Sequence, residues 1–306
     1  MNIIRLGTRG SKLALAQADL VKFQLEKKHP GLLFEIVVIQ TKGDIDLISP
    51  LYEIGGKGVF IKELEVALTQ GYVDIAVHSL KDMTAALPNH LKLSAFLKAE
   101  STVDVLVLGS RHKKWEDLPI GATLATGSSR RVALLKILRP DIQTVGVRGN
   151  VLTRIAKLDD GQFDGLVLSE AGLIRLDLQD RVSHRFSPYD FCPAPGQGVI
   201  VLESRKNDAY IQYLCGSIND KEQELRSTAE LVFLEKVGFD CRAPLGIHII
   251  PGRDKGEDME CIVFLATTKM DNFKKECITL SRCNPRLAME ALAQSFIEWR
   301  NQHEIN

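Results

Sequence analysis

A chain of 306 residues exceeds one usual hydrophobic core and points to two or three domains. Lys plus Arg and Asp plus Glu both number 39, so no global field draws the chain to nucleic acid or to an anionic membrane, and any anion site must be local. There is no uninterrupted apolar run of about 18 residues, no secretory pattern at Met1-Asn2-Ile3-Ile4-Arg5, and no Cys-x-x-Cys pair among Cys192, Cys215, Cys241, Cys261, Cys277 and Cys283; a membrane span, a metal site and a disulfide framework are not expected, and a cytoplasmic protein is.

In chain order, Asn2 to Leu6 reads as a short apolar strand that turns through Gly7-Thr8-Arg9-Gly10 into Ser11, an N-cap for a helix over Lys12 to Lys28. Leu13, Gln17, Leu20 and Leu25 give that helix an apolar stripe, and Pro30-Gly31 stops it. Phe34 to Gln40 is a second strand. Gly55-Gly56-Lys57-Gly58 has no hydrophobic periodicity and leads past Phe60 into a helix over Ile61 to Gln70. Three glycines around a lysine imply a mobile or closely approached loop, with Lys57 and Phe60 as lid residues; no Gly-Lys-Ser/Thr follows to make a nucleotide site.

Asp74-Ile75-Ala76-Val77 is a buried-type strand that delivers His78-Ser79-Leu80-Lys81-Asp82 at its carboxyl end. Leu91 to Leu97 and Asp104 to Leu108 are further strands, and Ala99-Glu100-Ser101-Thr102 between them reads as a crossing from one domain to another. Phe163 to Leu168 is a strand ending at Ser169-Glu170-Ala171-Gly172, before Leu173 and Arg175. Pro193-Ala194-Pro195-Gly196-Gln197-Gly198 breaks all periodicity as a hinge, and the strand Val199 to Glu203 is expected to return to the first domain. Asn219 with Glu222 suggests a capping box for a long helix to Lys236, Gly238 to Gly246 a loop, Glu260 to Thr267 and Glu276 to Ser281 antiparallel strands, and Asn284-Pro285 the start of a last helix. The fold class read from this order is α/β, with two periplasmic-binding-protein-like lobes and a crossed-over chain, residues 1–98 with 199–217 and residues 103–193, plus a small C-terminal α+β domain over 218–306.

The stretch from Thr126 to Arg154 is built to hold anions. Thr126-Gly127-Ser128-Ser129 follows the apolar run Ala122 to Ala125, where backbone N–H groups and hydroxyls can point at an anion at a helix start, and Arg130 and Arg131 add two guanidinium forks. Arg148-Gly149-Asn150 and Arg154 repeat the pattern after Thr144-Val145-Gly146-Val147. Turns at the carboxyl ends of parallel strands face one crevice, so two such turns in one stretch point to an anion site rather than to solvated helix-start charges. Asp82 stands at a strand end of the same kind beside Lys81; a carboxylate there stays ionised and can stabilise a developing cation or pass protons. Cys241, read alone, is a buried structural thiol.

Assembled in order, these pieces resemble the hydroxymethylbilane synthase, or porphobilinogen deaminase, family over nearly the full chain. The matching segments are Thr8-Arg9-Gly10-Ser11 with Leu13 to Gln17, Gly55 to Gly58 with Lys62 to Glu65, Asp74 through Asp82, Ser128 to Arg131, Arg148 to Val151, Gly196-Gln197-Gly198, and Cys241 with Pro244 and Gly246. The resemblance implies a transferase that adds porphobilinogen head to tail, loses ammonia at each step, and releases a linear tetrapyrrole by hydrolysis. It implies a dipyrromethane cofactor joined to Cys241 by a thioether, which reverses the structural reading of that thiol. Asp82 with Lys81 would be catalytic; Lys81, Asp82, Thr126, Ser128, Arg130, Arg131, Arg148 and Arg154 would hold the cofactor; Arg9, Ser11, Arg148, Arg154 and Arg175 would hold substrate. Each added pyrrole brings an acetate and a propionate, which is why arginines, bidentate and charged when partly desolvated, suit the site. The implied partners are porphobilinogen and the growing polypyrrole, with no nucleic acid or membrane, on a monomer.

The chain departs from the family pattern at several positions. Met83-Thr84 stands where Val-Pro is usual, so the turn after Asp82 lacks its proline. Ala99 and Val103 stand where arginines are usual, Gly127 replaces a serine, Ser129 replaces a leucine, and Glu170 puts an acid near the expected anion-binding edge. A non-catalytic two-lobed anion-binding or sensing paralogue is the alternative; such a module needs neither Asp82 nor Cys241.

Overall fold

The computed structural model describes residues 3–41, 61–84, 86–238, 243–252 and 257–304. In chain order the first elements are β1 (Ile3–Thr8), α1 (Lys12–Lys28), β2 (Leu33–Val38), α2 (Lys62–Thr69), β3 (Ile75–Ser79) and β4 (Leu91–Phe96). There follow β5 (Asp104–Leu108), β6 (Thr123–Ala125), α3 (Ser129–Leu138), β7 (Gln143–Val145), α4 (Val151–Asp159), β8 (Gly165–Ser169), α5 (Glu170–Ile174) and β9 (His184–Arg185). Then come β10 (Ile200–Arg205), α6 (Ala209–Gly216), α7 (Lys221–Val237), β11 (Leu245–Ile250), β12 (Met259–Ala266), β13 (Phe273–Leu280) and α8 (Pro285–His303). Met1–Glu100 with Gly198–Leu225 form one compact unit, and Ser101–Gln197 with Arg226–Asn306 a second.

The first unit is a five-stranded open sheet in the order β2-β1-β3-β10-β4. β1 runs parallel to β2 and β3, whereas β10 is antiparallel to β3 and β4. Helix α1 buries Gln17, Ala18, Val21 and Leu25, one stripe at helical spacing, against Leu6, Phe34, Ile75 and Val77 of the sheet. Its start is fixed by Ser11, whose Oγ accepts from the Ala14 N–H at 3.2 Å, and its last turn carries Lys27 and Lys28.

The second unit repeats this arrangement as β7-β6-β8-β5-β9, with β6 parallel to β7 and β8, and β5 antiparallel to β8 and β9. In both sheets the antiparallel strand is second from an edge, and it is the strand that follows a crossing of the chain: β5 after residues 99–102 and β10 after 193–198. The parallel strands β6 and β8 are short, and Gly165 is crowded where β8 meets β6, since a Cβ there would lie 2.7 Å from the Leu124 side chain, which would have to shift.

A three-stranded antiparallel sheet, β11-β12-β13, completes the second unit. Ile262, Phe264 and Ala266 of β12 share one buried cluster with Leu106, Leu124, Leu135 and Phe191, so this sheet and the α/β sheet have a common core. The sequence reading ends the 238–246 loop too late, because β11 already begins at Leu245 and runs to Ile250. Gly246 suggested a loop; its actual reason is close approach, since a Cβ there would lie 2.8 Å from the Cys192 carbonyl oxygen. The expected capping box at Asn219 is also displaced: Asp220 accepts from the Gln223 N–H at 2.8 Å, while the Asn219 side-chain oxygen accepts from Phe96 N–H at the end of β4. A side chain drawn to a strand end cannot also cap a helix, so the neighbouring acid does so.

Candidate active site

In the first unit, β1 and β3 lie side by side in parallel, with Leu6 opposite Ile75 and Gly7 opposite Ala76. Residues that follow both strands therefore leave the sheet at one edge, and these are Arg9, Ser11, Lys81 and Asp82. Leu80–Asp82 form a single 3-10 turn, closed by the Met83 N–H donating to Leu80 O at 3.0 Å. Leu80 is buried and its N–H donates to Val199 O at 3.0 Å, while Lys81 and Asp82 are exposed. The missing proline is replaced by two other restraints: Met83 is buried, and the Thr84 hydroxyl donates to Ala86 O at 2.8 Å. On one face of β3 the Gln17 side-chain amide donates to Ser79 Oγ at 2.9 Å, tying the strand to α1. In the same unit His78 Nε2 meets Glu203 Oε2 at 3.1 Å, both buried. Glu65 of α2 joins them electrostatically, its carboxyl pushed up first by burial and then by Glu203. Sequence reasoning assigned this cluster no role; its signal was an acid, Glu203, inside the apolar run from Val199.

In the second unit the turns after β6 and β7 emerge together, for Thr126 N–H donates to Val145 O at 2.9 Å, and a Cβ on Gly127 would stand 3.2 Å from Val147 O. Ser128 caps α3 by accepting from Arg131 N–H, and Asn150 caps α4 by accepting from Thr153 N–H at 2.9 Å. Gly149 has φ +110°, which an L side chain rarely adopts, and its carbonyl accepts from Arg154 Nε at 2.7 Å. Arg148 and Arg154 are half-buried. Arg175 closes α5 at the corresponding edge of β8 and is half-buried as well.

Arg130 and Arg131 are neither solvated nor exposed: they retain 3% and 6% of their surface. Because β5 is antiparallel, Asp104 at its start stands opposite Ser169 at the end of β8. Its two oxygens take Arg130 Nη1 at 2.7 Å and Arg131 Nε at 2.9 Å. Arg130 also donates to Cys192 O at 2.6 Å and Arg131 to Val167 O at 2.9 Å. Despite complete burial, the two guanidiniums hold the Asp104 carboxyl down at about 2. Two cations on one carboxylate leave one positive charge in excess. Gln197 lies against the same group, donating to Thr102 O at 2.8 Å and Asp104 Oδ1 at 3.2 Å, while its buried Oε1 accepts no hydrogen bond from the described residues. A surplus of guanidinium charge and a spare buried acceptor make a donor set that fits a ligand bearing carboxylates and N–H groups.

Glu170, an acid at this edge, does not face it as an open charge. Its oxygens accept from Ser101 Oγ at 2.7 Å and Arg185 Nε at 2.5 Å. Where the family usually has an arginine, Val103 instead packs against the cluster of Val105, Leu168 and Leu173.

Further along this unit, burial pushes Glu230 up to about 7, and burial together with Arg226 pushes His248 down to about 4. The folded state therefore holds one extra proton on Glu230 from about 4.5 to 7, and stability from that group falls as pH rises through the window. It lacks one proton on His248 from about 6.5 down to 4, so stability from that group falls as pH drops. Between about 4.5 and 6.5 the slopes cancel. Glu230→Gln is expected to uncover the His248 slope, a gain of roughly 2–3 kcal/mol from pH 4.5 to 6.5 in urea unfolding, against a near-flat parent. A flat profile in the variant contradicts this assignment.

Cys241, Lys57 and Phe60 lie outside the described residues. Among the described residues there is no group of His, Cys, Asp and Glu that could hold a metal ion, and no helix long and apolar enough to cross a membrane.

Comparison with known proteins bears on these edges directly. The family described as "Porphobilinogen deaminase, dipyromethane cofactor binding domain" matches residues 4–213, which contain both. A porphobilinogen deaminase of Clostridioides difficile (strain 630) is 45% identical over 256 residues, covering 83% of this chain and 84% of the relative. Among solved structures, a pheromone cOB1 precursor/lipoprotein of Enterococcus faecalis V583 gives a TM-score of 0.46 at 13% identity over 72% of this chain and 93% of that one. The methionine-binding protein MetQ gives 0.45 at 14% identity over 75% and 94%; both likenesses are too loose to decide fold or activity. The length of the family match and the identity to the clostridial enzyme place this chain in the porphobilinogen deaminase family.

Proposed function

We propose that this chain is a hydroxymethylbilane synthase of tetrapyrrole biosynthesis, joining four porphobilinogen molecules head to tail with loss of ammonia and releasing the linear product by hydrolysis. The observation that carries the reading is Asp82, exposed on a closed turn at the carboxyl end of β3, on the edge it shares with Arg9 and Ser11. When bound, the dipyrromethane cofactor supplies a pyrrole with a free α-carbon to which the first substrate is added.

Residues of the chain do the rest. Thr126, Ser128 and the guanidiniums of Arg130, Arg131, Arg148 and Arg154 would hold the cofactor's carboxylates, and Cys241 would anchor it through sulfur. Arg9, Ser11, Arg148, Arg154 and Arg175 take the acetate and propionate of the incoming substrate, with Lys81 beside them. Asp82 is the fixed anion: it stabilises the positive charge left on the substrate as ammonia departs, and would balance the positive charge that persists until the displaced proton is lost. Its charge is needed in the transition state more than in the ground state, which is where binding energy raises turnover. Lys57 and Phe60 would cover the site. The three-part division into residues 1–98 with 199–217, 103–193 and 218–306, a monomer, and a cytoplasmic location complete the proposal.

Intact mass spectrometry tests it. Protein from a porphobilinogen-producing host is expected to exceed the polypeptide mass by one dipyrromethane, and Cys241→Ser to lose that increment together with activity. A bare polypeptide mass in an active parent protein contradicts the covalent tether.

A further inference from the structure

Helix α7 ends at Val237, followed by Gly238 at φ +62°, and β11 begins at Leu245; the short segment between them contains Cys241. α7 and β11 are thus the two arms of the cofactor's proposed attachment loop. Both arms are already buried on apolar surface, α7 through Ala229 and Phe233 and β11 through Ile247 and Ile249. Apolar burial is non-directional and by itself specifies the register of a helix on a strand less sharply than directed bonds do. Such bonds are present here: Arg226 of α7 donates to Ile249 O at 3.5 Å, and Glu230 adds two more. Glu230 of α7 accepts from the Gly196 N–H at 2.7 Å and from the Ile249 N–H at 3.2 Å, all three groups being buried.

Gly196 belongs to the crossing segment, at φ +65°, and that segment and the residue before it also meet β11 directly. Ile247 N–H donates to Pro193 O at 3.0 Å, and Gly246 stands against Cys192, whose carbonyl accepts from Arg130. One carboxylate therefore joins helix, strand and crossing segment at a point reached by the Arg130–Asp104 group. A buried acid is a poor choice for stability alone, since an apolar residue of similar volume is often as good or better.

We propose that Glu230 is a positioning residue for the tether, fixing the two arms that carry Cys241 relative to each other and to Gly196. This rests on the reading of Cys241 as the attachment point. Glutamine cannot replace it: the amide offers one oxygen, so one of the two backbone N–H groups would face an NH2 donor.

The test compares parent, Glu230→Gln, Cys241→Ser and Gly165→Ala, all purified from one porphobilinogen-producing host. Gly165→Ala disturbs the core of the same unit through Leu124 and touches neither arm. For each, the fraction of chains carrying dipyrromethane is read by intact mass, and folding by far-ultraviolet circular dichroism and urea unfolding. Glu230→Gln is expected to fold cooperatively with its loaded fraction reduced at least about 5-fold, while Gly165→Ala, though destabilised, loads as the parent does. Full loading of Glu230→Gln overturns the inference, and so does a Gly165→Ala loss of loading equal to its own, because loading would then follow stability alone. Dipyrromethane retained on Cys241→Ser is a separate result: it removes the tether reading on which the inference stands, whatever Glu230→Gln does.

Discussion

Asp82→Asn is expected to retain the dipyrromethane mass increment and lose roughly 10²- to 10³-fold in turnover, the range found when one group aimed at developing charge is removed. The substitution is isosteric, and the 3-10 turn that presents residue 82 is closed by backbone groups of Leu80 and Met83. Neither depends on the carboxylate. What disappears is the negative charge on the edge shared with Arg9 and Ser11, and the surrounding cationic groups would then face the cationic reaction centre without an intervening anion. KM is expected to change much less than kcat, because the substrate carboxylates are proposed to be held by arginines rather than by Asp82. Initial rates on protein verified as loaded by mass decide the matter. Unchanged turnover in such protein would remove Asp82 from the chemistry, while a loss of loading would make it a cofactor ligand first.

Much of the edge in each unit was legible from residue order. A strand, a small-residue turn and a capped helix recur at Arg9–Ser11, Thr126–Arg131 and Arg148–Asn150, and each one appears where turn and capping chemistry put it. The sequence could not show where Arg130 and Arg131 spend their charge, because their partner, Asp104, is 26 and 27 residues away and reaches them only through the antiparallel placement of β5. The Glu170 carboxylate is likewise occupied by Ser101 and Arg185, 69 and 15 residues distant. Local pattern reads the turns; long-range pairing decides which of their charges remain available. β11 was missed because Gly246, packed on Cys192, carries the mark of a loop and serves as a point of close approach. Helix α6 was missed for a different reason. It is eight residues long, capped by Asp208, and it leaves Tyr210 and Tyr213 exposed, so its apolar residues show no single stripe.

Asp104→Asn is expected to cost about 3–5 kcal/mol of folding stability, the loss found when one partner of a buried ion pair is removed. The neutral amide would leave two buried guanidiniums facing each other without a counter-ion, raising the excess positive charge of the group from one to two. Arg131→Met should cost less, because the remaining Arg130–Asp104 pair is neutral and still bonded at 2.7 Å. Urea unfolding at pH 7 orders the two, and a larger loss for Arg131→Met than for Asp104→Asn would show that the cluster is not governed by charge. Acid titration gives an independent check. Asp104 is held down at about 2, below the ordinary value of 3.8, so its contribution is fully present above that ordinary value and is lost as pH falls through about 2. The variant should therefore lack the parent's fall in stability at the acid end. A cluster that keeps one more positive charge than its own carboxylate can balance is suboptimal for an isolated fold. It would become favourable if the polycarboxylate proposed to bind here supplied the missing charge, since any ligand that binds only the folded state stabilises it.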